Sequence, residues 1–168
     1  MASVEQVLLD RSVYKPGQTV NARVRWAHYR GEQAFTEETY SLKLPDDLDD
    51  GEYQFAIGNS RMHMSALQSE KPHLFRAENL SELLSRFNQM ASYPENKLFL
   101  RLTLPNRGLA VKGTEMPDLP SHKAQIYASA KRNDVQPYRQ ALVREYDLPF
   151  VAEGGQVLSI KVDRRADQ

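Results

Sequence analysis

The stretch from Thr19 to His28 limits the fold more than any other. Val20, Ala22, Val24, Trp26 and His28 share one parity, while Asn21, Arg23, Arg25 and Tyr29 fall on or near the other. A period of two marks a strand with one face in a core and the other in water. The single tryptophan of the chain sits on the inward parity, where its large apolar area anchors a core.

The same period recurs along the chain. Val4 to Leu9 is apolar enough for a first strand, and Lys15-Pro16-Gly17-Gln18 separates it from the Trp26 strand. Proline fixes φ and glycine accepts φ > 0, so Pro16-Gly17 predicts a tight reversal. Glu38 to Leu44 alternates with Tyr40, Leu42 and Leu44 inward, and Glu52 to Gly58 with Tyr53, Phe55 and Ile57 inward. Four strands by residue 58, joined by short connections, predict an antiparallel sandwich rather than βαβ winding.

The middle of the chain breaks this rhythm. Asn59 to Ala77 has no clean period and reads as a long crossover or loop. Asn79-Leu80-Ser81-Glu82 has capping-box spacing with Asn at the cap, and Leu80, Leu83, Leu84, Phe87, Met90 and Ala91 form one apolar stripe behind it. An amphipathic helix over about 79–92 follows, with Pro94 as its stop. Beyond it, Lys97 to Leu104 reads as a strand with its leucines inward and Arg101 and Thr103 outward, Asn106-Arg107-Gly108 as a turn, and Leu109 to Lys112 as its hairpin partner. Ser121 caps a second short helix to about Ala130, and Tyr138 to Asp147 and Val157 to Val162 form two last strands around Gly154-Gly155.

Composition bounds the function. At 168 residues the default is a single domain spanning 1–168. Lys plus Arg equals Asp plus Glu at 22 each, so no net field draws the protein to nucleic acid or an anionic membrane. Without cysteine there is no disulfide, thiolate nucleophile or cysteine metal site. Met1 to Glu5 lacks a signal-peptide pattern and no eighteen apolar residues run together, so the chain as it stands reads as untargeted and not membrane-inserted.

Candidate sites are few. His28, His63, His73 and His122 have no metal-ligand spacing; His63 and His73 with Glu70 are either a zinc site across the mid-chain loop or ordinary loop histidines. Asp46, Asp47, Asp49 and Asp50 beside Gly51 fail the calcium-loop pattern, since Leu48 and Ile57 occupy ligand positions, and read as a solvated acidic turn. No serine lies in a nucleophile elbow, and no catalytic set or cofactor is expected. Three partner-binding surfaces remain: Arg23, Arg25 and Tyr29 on the outward side of the Trp26 strand, and Lys131-Arg132, Arg139 and Arg144 near the C-terminal strands, each suited to an anionic polymer or acidic protein against a plain solvated sheet face, and Met62, Met64 and Phe75 in the mid-chain loop, against packing over the core.

Asp10-Arg11-Ser12-Val13-Tyr14-Lys15-Pro16-Gly17-Gln18-Thr19-Val20 resembles the Asp-Arg-x-x-Tyr-x-Pro-Gly-x-x-Val opening of macroglobulin-type and related immunoglobulin-like domains. Leu44 to Tyr53 resembles the Pro-x-x-Leu-x-x-Gly-x-Tyr lead into a central strand of the same domains. The later part, with its Leu-rich helix, the Leu98 to Leu104 strand, Met116 to Ser121 and Asp134 to Tyr138, is similar to the non-catalytic C-terminal region of bacterial envelope proteins that carry a sporulation-type serine peptidase domain.

The resemblance implies a mainly β, immunoglobulin-like antiparallel β-sandwich with an inserted amphipathic helix and a second short helix. It further implies an extracytoplasmic accessory module, in periplasm or cell envelope, that contacts a protein partner or a neighbouring domain of its own chain. A subunit that self-associates through strand edges is the alternative, and a metal-dependent hydrolase is a second one.

Overall fold

The computed structural model describes residues 1–30, 34–75, 80–91, 93–111, 114–116 and 135–165. The fold is mainly β and sandwich-like, with two sheets. Contacts within the chain divide it into two compact units. The first comprises Met1–His63, Pro94–Thr103 and Leu142–Gln168; the second comprises Met64–Tyr93 and Leu104–Ala141.

The first sheet has the order β4-β3-β1-β9, from Phe35–Lys43 (β4), Thr19–His28 (β3), Ala2–Leu9 (β1) and Ala152–Glu153 (β9). The second runs β2-β10-β5-β6-β7, from Val13–Tyr14 (β2), Gly155–Val162 (β10), Gly51–Asn59 (β5), Lys97–Val111 (β6) and Thr114–Met116 (β7). Val135–Asp147 (β8) also pairs with β6. The β1–β3, β3–β4, β5–β10, β5–β6 and β6–β7 ladders are antiparallel, and two short ladders are parallel. Ala2 and Ser3 run parallel to Ala152 and Glu153, and Val13 and Tyr14 run parallel to Lys161 and Val162.

The alternation read from the sequence forms the core of the first unit. Val20, Ala22, Val24 and Trp26 of β3 are fully buried, with Tyr40 and Leu42 of β4 beside them. Phe55, Ile57, Leu98, Leu100, Leu102, Ile160 and Val162 of the second sheet are buried as well. Each buried Val, Leu, Ile or Phe among them contributes about 1.5–3 kcal/mol over leaving it in water. The Trp26 ring meets Phe150 edge-on at 5.1 Å.

The opening motif has a structural reason for its residues. At Pro16-Gly17 the chain reverses, with Gln18 N donating to Lys15 O and Gly17 at φ +78°, the type II geometry that glycine alone adopts without strain. A Cβ on Gly17 would also collide with the Asp46 carboxylate. Tyr14 is buried and its hydroxyl donates to Asp10 Oδ1 at 2.6 Å, while Asn21 donates to both Asp10 oxygens from its backbone and side-chain amides. Burial pushes the Asp10 carboxyl up, but these bonds outweigh it and hold the group below its ordinary range. The same Asp10–Tyr14 contact, after burial, drives the phenol well above its own.

Several expectations need correction. Ser60 to Glu70 is an α-helix (α1), and Pro72 to Phe75 a 3-10 helix, where an irregular loop was expected. Asn59 caps α1, its Oδ1 accepting from Met62 N at 3.1 Å. No turn occurs at Asn106-Arg107-Gly108: β6 continues to Val111, and Leu109–Val111 pair with Thr114–Met116. A local turn signal yields there to a ladder that keeps the backbone extended. Arg101, expected outward, is only 3% exposed. A short strand, β9, comes between the two last expected strands; β10 pairs with β5, and β8 with β6.

The Leu-rich helix is present as Leu80–Ala91 (α2), with Leu80 and Leu84 of its expected apolar stripe exposed. Its proposed cap Asn79, the helix expected from Ser121 to Ala130 and the basic pair Lys131-Arg132 lie outside the described residues.

Candidate interaction surface

β3 and β4 form a hairpin whose outer face carries the first predicted set. Arg23 is exposed and stands opposite Thr39, and Arg25 stands opposite Glu37. One extra residue in β1, Glu5, bulges between Val4 and Gln6, and its carboxylate meets Arg25 Nε at 3.2 Å. The Arg25 guanidinium also lies 4.5 Å from the centre of the Phe35 ring. Arg25 is therefore held by a carboxylate and a ring already present on the sheet. Tyr29, just past β3, is 74% exposed, with the Arg30 guanidinium 5.8 Å from its ring centre.

The outer border of β4 is an edge of the first sheet. β4 ends the sheet order, so one side faces β3 and the other faces no strand among the described residues. Ala34 O accepts from His28 N, which turns even-numbered positions of the hairpin inward. At Ser41 both backbone groups turn outward, since Tyr146 Oη accepts from Ser41 N at 3.1 Å and donates to Ser41 O at 2.6 Å. By the alternation of an antiparallel ladder, Phe35, Glu37 and Thr39 also aim N–H and C=O outward. Their side chains are exposed, Phe35 at 45%. Among the described residues three consecutive outward backbone pairs thus lie open, closed at one end by a tyrosine that also packs on Tyr40 at 5.1 Å.

The second predicted set is not an open loop. Met62 lies on α1 with its sulfur against Gly58 and Gly155, where a Cβ on either glycine would strike it. Met64 is half-buried on the same helix, and Phe75 half-buried at the end of the 3-10 helix. Met62 belongs to the first unit, Met64 and Phe75 to the second.

Two polar clusters were not foreseen. In the first unit, Arg101 Nη1 donates to His63 Nδ1 at 2.6 Å, and the His63 ring stacks on Phe99 at 4.1 Å. An arginine carries only donors, so Nδ1 holds a lone pair and the imidazole is neutral. Burial, with the Arg101 charge adding to it, pushes His63 down to about 4. In the second unit, Lys71 Nζ donates to both Glu115 oxygens at 2.8 and 2.9 Å, and His73 Nε2 lies 3.1 Å from Glu115 Oε1. Burial pushes the Glu115 carboxyl up, but the bonds from Lys71 and His73 prevail and lower it. The Tyr138 ring packs under both, 5.3 Å from Lys71 Nζ and 5.4 Å from the His73 ring centre.

These contacts engage the histidines considered as zinc ligands: His63 faces an arginine and His73 a carboxylate already bonded to lysine. Among the described residues, no group of three or more His, Asp or Glu side chains is arranged to hold a metal ion. The acidic turn is occupied by the protein itself, with Arg164 N donating to Asp50 Oδ1 at 3.0 Å and its guanidinium 3.8 Å from Asp49 and Asp50.

Comparison with protein families, with curated proteins and with solved structures returned no match to this chain.

Proposed function

We propose that the chain is a non-enzymatic interaction module of the immunoglobulin-like or macroglobulin-like kind, an accessory part of a bacterial envelope protein. It binds an extended segment of a protein partner or of a neighbouring domain by adding it as a strand to β4. The observation that carries this is the row of outward backbone groups at Phe35, Glu37 and Thr39, with no strand beside them among the described residues. In strand addition the backbone supplies affinity and alternate side chains supply choice.

The bacterial and extracytoplasmic parts rest on the resemblance at Asp10–Val20 and Leu44–Tyr53 and at the later segments. The split of the first strand supports the immunoglobulin-like part, since β1 joins one sheet and β2 the other, beside the last strand.

Thr39→Pro tests the reading. Its N–H faces away from β3, so proline costs no ladder bond and is tolerated as edge prolines are. Peptides selected by display on the wild-type protein are expected to slow hydrogen exchange at Phe35, Glu37 and Thr39 and to lose binding to the proline variant. Protection elsewhere, with binding unchanged by the proline, refutes the reading.

A further inference from the structure

The charges along the open edge constrain what can be added to it. Glu37 sits at the centre of the three outward positions, and Glu38 follows it on the opposite face, both exposed. Arg25 stands opposite Glu37 but is shared with Glu5, so Glu5, Glu37 and Glu38 outnumber Arg23 and Arg25 on these neighbouring strands. Arg25 is engaged by Glu5 and Phe35, and Arg23 stands on β3, one strand spacing further from an incoming chain.

A second copy of β4 is the simplest alternative occupant, and geometry counts against it. Outward residues face outward residues in an antiparallel pair, so the register that uses all three sets Phe35 against Thr39 and Glu37 against Glu37. Like charges directly opposite each other are destabilising. Sliding one way leaves only Phe35 and Glu37 paired. Sliding the other way sets Glu38 against Glu38 and drives Phe35 toward Ser41, where Tyr146 already occupies both backbone groups.

Resting on the strand-addition reading, we infer that the β4 edge takes an extended segment with lysine or arginine opposite Glu37, ends it at Ser41, and rejects a second copy of itself. The partner is a basic strand, and the molecule stays monomeric through this edge.

The probes are a short peptide alternating threonine and lysine and its twin with glutamate for each lysine. Calorimetry at low salt is expected to give about tenfold tighter binding of the lysine peptide, from one or two cross-strand charge pairs. Glu37→Lys reverses the order, and added salt narrows the gap. Hydrogen exchange at Phe35, Glu37 and Thr39 slows on binding. Equal affinity of the two peptides with the same protected edge overturns the charge inference and leaves strand addition standing. Neither peptide protecting β4 at millimolar concentration overturns both. A wild-type dimer in sedimentation, with β4 protected, overturns the rejection of self-pairing.

Discussion

At the scale of single residues, Arg101 shows where a period of two misleads. Alternation assigns it to water, because Leu100 and Leu102 face the core. It is buried all the same, under the His63 end of α1, and the partner that receives it is polar. Hydropathy carries no mark of such a pair, whereas the apolar neighbours of Trp26 were legible because each repeats the same signal. The pair has a consequence for acid stability. His63 is held neutral with its pKa depressed from 6.5 to about 4, so the unfolded chain binds the extra proton. The stability present above pH 6.5 is then lost as pH falls through the folded value, by about 3 kcal/mol in all. His63→Gln keeps an acceptor for Arg101 and removes the titration. Urea unfolding from pH 7 to 4 is expected to show a steeper loss for the wild type than for this variant; parallel curves refute the assignment.

At the scale of elements, the strands were legible and α1 was not, for one reason. Ser60, His63 and Glu70 are the buried residues of α1, spaced as one helical face, and all are polar. The apolar period that reveals α2 is therefore missing, and only Asn59 before Ser60 marks a cap. The candidate edge was half legible: the sequence exposes β4 as a strand, but the Tyr146 contact at Ser41 joins residues far apart in the chain. That contact manages the edge as strand ends are commonly managed, by covering backbone groups. Tyr146→Phe retains the packing on Tyr40 and removes the hydroxyl. Hydrogen exchange at Ser41 is expected to accelerate in the free protein with little change at Ala22 or Val24, and unchanged exchange at Ser41 would sink the covering role.

At the scale of the whole molecule, the ladders that close the first unit join the two ends of the chain: Ala2 with Ala152, and Tyr14 with Val162. A strand pattern announces such elements but not which of them meet, so the topology was the least legible part. Pairings of this span make folding slow, because loop closure precedes the contacts that repay it. Refolding followed by the fluorescence of Trp26, buried and the only tryptophan, is expected in the millisecond-to-second range; a microsecond phase carrying the full amplitude contradicts this topology. The same two parallel ladders matter during synthesis. A ribosome adding about 5–20 residues per second needs roughly 7–30 s to pass from the first strand to the segment that receives it. For that interval β2 has no native neighbour and β1 can pair only with β3, so the edges of β1 and β4 both stand open on the nascent chain until β9 emerges to cover that of β1.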